Sequence, residues 1–100
     1  MLLQLKDKNY YVKFYHFPAG EYDGYNRGTK AKLLDSSDSK SAIAIEIAIC
    51  NPHDNFVRKT GRKLAFKRLL DFMQVAGIIS GREEHKLCWD TYFENFKKGK

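Results

Sequence analysis

Ser41-Ala42-Ile43-Ala44-Ile45-Glu46-Ile47-Ala48-Ile49-Cys50 places isoleucine at every second position, with alanine, glutamate, alanine and cysteine between. Successive side chains of a strand point to opposite faces, and isoleucine is β-branched and stiff, so the stretch predicts a β-strand with two chemically distinct faces. The isoleucine row is expected to be a core face of a sheet, covered by a helix, with this strand central. Ala44 and Ala48 leave the other face open to close packing or to solvent.

On its C-terminal side the strand runs into Asn51-Pro52-His53-Asp54. Asparagine caps a helix, proline is preformed for its first position, and aspartate favours the positive end of the helix dipole. The helix is expected to continue to about Met73 or Val75, with Leu64, Phe66 and Leu69 packing and Gly61 as its weak spot. Gly77, Ser80 and Gly81 end it. Ser80-Gly81-Arg82-Glu83 has capping-box form and opens a second helix to about Phe96. Trp89, Tyr92, Phe93 and Phe96 follow at i, i+3, i+4 and i+7, an amphipathic stripe read as core rather than as a dimer seam.

On the N-terminal side, Asp35 to Ser39 has turn composition and Thr29 to Leu34 reads as a short strand. Tyr10 to Phe17 is rich in aromatic strand formers and is expected to pair with residues 2–6 as a hairpin. Pro18 to Gly28 is a glycine-rich loop. It carries Tyr22, Tyr25 and Arg27, which either fold back over the sheet or form a binding surface. The expected architecture is α+β: a three- or four-stranded antiparallel sheet followed by two C-terminal helices packed on it, as a single compact domain over residues 1–100.

The chain has 100 residues, 18 of them Lys or Arg and 12 Asp or Glu, for a net charge of +6. Arg58, Lys59, Arg62, Lys63, Lys67 and Arg68 form one cluster without an acidic residue inside it. The remaining 12 basic residues balance the 12 acidic ones, so the net charge resides in this segment. On a helix, Lys59, Lys63 and Lys67 form an i, i+4 ladder. Its cations could meet an acidic protein face, engage phosphates as a nucleic-acid module, or stand in solvent.

Other chemistry is sparse. Cys50 and His53, with His85 and Cys88, form two mirrored pairs of zinc-ligand types, the set a tetrahedral site would use; otherwise Cys88 is a small core residue and the histidines are solvated. No phosphate-cradling loop or nucleophile elbow occurs, and His16 reads as a hydrogen-bonded structural histidine, so no enzymatic activity and no cofactor are expected. No apolar run reaches membrane-spanning length and Met1 to Lys6 lacks signal-peptide form. Two cysteines suit a reducing interior, so a cytoplasmic location is expected.

The span Asn51-Pro52-His53-Asp54-Asn55-Phe56-Val57-Arg58-Lys59-Thr60-Gly61-Arg62-Lys63-Leu64-Ala65 resembles a strand–N-P-x-D-x-F-x-[KR]-x-x-G-R-x-x-A–helix pattern of short bacteriophage and prophage proteins. Asn51, Pro52, Asp54, Phe56, Gly61, Arg62 and Ala65 match it, within 17 of the chain's 100 residues counted from Ile49. The resemblance implies a phage-type accessory protein acting in the host cytoplasm. By analogy with small phage inhibitors, it implies an anti-defence, anti-CRISPR-like role against a host protein or ribonucleoprotein complex with an acidic surface.

Overall fold

The structure, a computed structural model, describes residues 1–96 except 7, 22–26, 37, 39 and 51–56. Four strands, β1 (Leu2–Gln4), β2 (Asn9–Phe17), β3 (Gly28–Leu34) and β4 (Ala44–Ile49), precede two helices, α1 (Arg58–Val75) and α2 (Gly81–Asn95). The strands form one antiparallel sheet in the order β1-β2-β3-β4. This is the α+β arrangement expected from the hydrophobic pattern. The helix signals at Asn51 to Asp54 lie outside the described residues.

Both helices pack on one face of this sheet. Register puts Val12 opposite Leu33, Phe14 opposite Ala31 and His16 opposite Thr29, then Thr29 opposite Ala48 and Leu33 opposite Ala44. Val12, Thr29, Ala31, Leu33 and Ala48 are each buried to within 2%. From α1, Ala65, Phe66, Leu69, Leu70 and Met73 recur at helical spacing and are completely buried. α1 lies across β3 and β4, and α2 sits beside β1.

Two expectations about β4 are therefore corrected. The strand is at the sheet edge, not its centre, and its isoleucines are not the core face: Ile43, Ile45 and Ile49 are 43%, 49% and 41% exposed. The physical reason is volume. α1 brings the bulky side chains itself, so the face it covers must be low, and Ala31, Ala44 and Ala48 supply that floor. A period of two creates two faces without saying which one a helix will choose. Leu64, expected to pack, stays 38% exposed.

The second helix docks through its aromatic stripe. Tyr92 stacks on Phe66 at 4.9 Å between ring centroids, and Trp89 meets Phe66 edge-on at 5.1 Å. Phe14 of β2 lies edge-on to Phe66, Tyr92 and Phe96, joining sheet and both helices in one cluster. Phe93 faces solvent, 48% exposed, while the other three stripe residues are buried or half-buried. Between the helices the Ile78 N–H donates to the Met73 carbonyl and the Gly77 N–H to that of Gln74, a Schellman turn with Gly77 at φ 79°. Ser80 occupies the N-cap position of α2, but the expected capping box does not form. Its side chain makes no bond to the helix backbone, and its N–H and hydroxyl both donate to Glu84 Oε1, at 2.8 and 3.3 Å, one residue beyond Glu83.

Gly28 is fixed by close approach. A Cβ there would stand 2.5 Å from the Ala48 carbonyl oxygen and 2.5 Å from the Phe17 ring. The backbone oxygen belongs to the neighbouring strand and cannot move aside without breaking the ladder. Gly28→Ala is expected to destabilise the fold by about 1–3 kcal/mol, seen as a fall in the urea midpoint at unchanged slope. An unchanged midpoint would contradict the close β3–β4 packing.

Candidate partner-binding surface

The basic segment folds as the N-terminal half of α1, and its six cations divide among three directions. Lys59, Lys63 and Lys67 stand at i, i+4 spacing as an exposed ridge. Lys63 lies 5.5 Å from the centroid of the Phe93 ring, and Lys67 pairs with Asp71 at 3.2 Å. Both members of that pair are more than half exposed, so it contributes about 0.5 kcal/mol and leaves the lysine available.

Arg62 turns the other way and is half-buried. Its Nε donates to Tyr92 Oη at 3.3 Å and its guanidinium covers the Phe96 ring at 4.1 Å. Arg62 thereby ties α1 to α2. Arg68 reaches around β4 and donates to the Ile47 carbonyl. Arg58 and Lys59 open the described helix with no acidic residue in its first turn, adding positive charge to the positive end of the dipole. That arrangement works against helix stability by a few tenths of a kcal/mol and concentrates positive potential at one end of the molecule.

His16 lies on the covered sheet face near that end. Its Nδ1 is 2.8 Å from Thr29 Oγ1, the structural hydrogen bond expected of it. Burial, then the charges of Arg58 and Arg62, hold its pKa below the ordinary histidine value.

The remaining sequence candidates are not assembled into one site. Arg27 is exposed, and its carbonyl accepts the Cys50 N–H at 2.7 Å; Tyr22 and Tyr25 lie outside the described residues. Of the four zinc-type residues, His53 also lies outside them, Cys50 follows the end of β4, His85 is half-buried on α2, and Cys88 is completely buried in the core. Burial, reinforced by the Glu84 carboxylate, pushes the Cys88 thiol up to about 11, which favours the protonated form over the thiolate a metal requires. Among the described residues, no three His, Cys, Asp or Glu side chains come together to hold a metal ion. Nor, among the described residues, is any helix long and apolar enough to cross a membrane.

The structure adds a surface that the sequence pattern does not announce. On the sheet face away from the helices, Lys13 stands opposite Lys32 and Tyr15 opposite Lys30, with Ile45 and Ile47 on the next strand. Lys13, Tyr15, Lys30 and Lys32 line a shallow hollow of about 380 Å³. The period-two spacing of Lys30 and Lys32 around Ala31 was the available signal, but only strand register brings Lys13 beside them.

Comparison with known proteins finds no matching family model, no matching curated protein and no matching solved structure.

The depressed pKa of His16 fixes a pH dependence. The unfolded chain takes up this proton more readily than the folded one. The stability contributed by neutral His16 is therefore complete above the unfolded value of about 6.5 and is lost as pH falls through the lower folded value. Thermal unfolding of the wild type is expected to move down between about pH 7 and pH 5, and His16→Asn, which can still bond Thr29, should flatten that slope. An imidazole titration by NMR at or above the ordinary value would contradict this account.

Proposed function

We propose that the protein is a small non-enzymatic binding protein that engages an acidic macromolecular surface through the α1 ridge. Within the setting implied by the phage-type motif, the partner is a host nucleic-acid-handling or defence complex, met in the host cytoplasm. The observation that carries the reading is the ridge itself. Lys59, Lys63 and Lys67 project from one side of a helix whose other side is locked into the core, so the charges are held in fixed spacing on a rigid element. Rigid presentation lowers the entropy lost on binding, and localised charge speeds encounter with an oppositely charged surface.

A second reading rests on Arg58 and Lys59 at the amino end of the helix. Positive side chains there, added to the dipole, suit phosphate oxygens, so a nucleic acid is the alternative ligand of the same segment.

One pair of substitutions separates the two. Lys63→Glu with Lys67→Glu reverses the ridge, and both residues are exposed, so folding should be retained. Protein binding predicts stoichiometric co-purification of a host component with the wild type and at least about tenfold less with the variant. Nucleic-acid binding predicts instead a change in anisotropy of labelled DNA or RNA that weakens steeply with salt. A variant that retains the same partner at full occupancy contradicts the ridge as the contact.

A further inference from the structure

The sheet face away from the helices is a second surface, independent of the α1 ridge and unexplained by it. Phe17 and Leu34 on this face are buried at 2% and 3%, so its exposed part runs along β4 and over Lys13 and Tyr15. Ile43, Ile45 and Ile49 are 43%, 49% and 41% exposed, and Tyr15 is 45% exposed. Scattered exposed apolar residues are ordinary on a soluble domain, but a row of isoleucines along one strand is a contiguous patch of the kind that marks an interaction surface. One strand in from that row stand Lys30 and Lys32, opposite Ile47 and Ile45, and beyond them Lys13 and Tyr15. The four strands contribute no acidic side chain to this face, since Glu46 points to the other one, opposite Ala31. Among the described residues, the loop that follows β2 brings one carboxylate to its margin: Tyr15 Oη donates to Glu21 Oε1 at 2.8 Å.

We propose that this face docks an amphipathic helix of a partner protein, its apolar seam along the isoleucine row and its carboxylates over Lys13, Lys30 and Lys32. Charge complementarity selects the occupant. A second copy laid face to face would set lysines against lysines, a repulsive arrangement. A strand added at the β4 edge would compete with Arg68, whose guanidinium already bonds the Ile47 carbonyl. A nucleic-acid strand would leave the isoleucines without a stacking role, because β-branched aliphatic side chains offer bases no π face. A helix lying on the face needs no backbone groups from the edge. It buries the apolar row and sets its carboxylates beside Lys13 and Lys32 together.

The test uses the full chain and a fluorescent helical peptide with leucine at heptad positions a and d and glutamate along one flank. Its counterpart has lysine in place of glutamate. The glutamate peptide is expected to bind and the lysine peptide not to. Lys13→Glu with Lys32→Glu, and separately Ile45→Ser, should each weaken binding about tenfold or more, whereas Lys63→Glu with Lys67→Glu should leave it unchanged. Thermal melts confirm that the variants are folded. The proposal is overturned if the glutamate peptide fails to bind at about 1 mM, or if open-face variants bind as the wild type does. It is equally overturned if these substitutions instead abolish binding of single-stranded oligothymidylate, or a dimer seen by sedimentation. Because the α1 ridge variant is read in the same titration, failure of this surface is distinguishable from failure of the ridge.

Discussion

The contact between α1 and the alanine floor of β3 and β4 organises the molecule. Phe66, Leu69, Leu70 and Met73 are large and completely buried, and Ala31 and Ala48 beneath the helix are small and equally buried. Bulk on the helix and small residues on the sheet close the layer to interior density, where two bulky faces would hold the helix away. Once that face is taken, alternation along β4 forces the isoleucines outward. The same contact aims the α1 cations: the side turned to the sheet buries its apolar residues, leaving Lys59, Lys63 and Lys67 on a ridge and Arg68 at the β4 edge.

The aromatic cluster completes this arrangement from the other side. Phe66 is shared between the sheet layer and α2, with Tyr92 stacked on it, Trp89 at its edge and Phe14 rising from β2. Pairs of this kind add about 0.5–1.5 kcal/mol each beyond the apolar area they bury. Arg62 extends the cluster outward by covering Phe96 and bonding Tyr92, so one member of the basic segment supports the fold. The positive potential of the surface and the docking of the two helices are coupled through that side chain.

Much of the architecture was legible from local pattern. The β1–β2 hairpin, the extent of β3, the β4 alternation and the stripe of α2 each follow from periodicity and end signals within a few residues. What could not be read was the choice between the two faces of β4. Ile43 to Ile49 and Ala44 to Ala48 both satisfy a period of two, and hydrophobicity alone favours the isoleucines as core. The decision comes from the volume that Phe66, Leu69, Leu70 and Met73 of α1 deliver, which is a tertiary fact. The basic cluster was likewise legible as a run of sequence, but its division into a ridge, an interhelical tie and an edge contact depends on helix orientation. The grouping of Lys13 with Lys30 and Lys32 was hidden for a related reason: Lys13 belongs to β2 and the other two to β3, and only register assembles them.

The central claim is that the alanine face of β4 is covered and its isoleucine face is open. Methyl NMR of the unmodified protein in the presence of a soluble paramagnetic probe measures this directly. The δ1 methyls of Ile43, Ile45 and Ile49 should broaden strongly as the probe is added, while the methyls of Leu33, Leu69 and Leu70 remain sharp. Protected Ile45 and Ile49 methyls alongside broadened Leu69 and Leu70 would contradict the account and place the helices on the opposite face of the sheet.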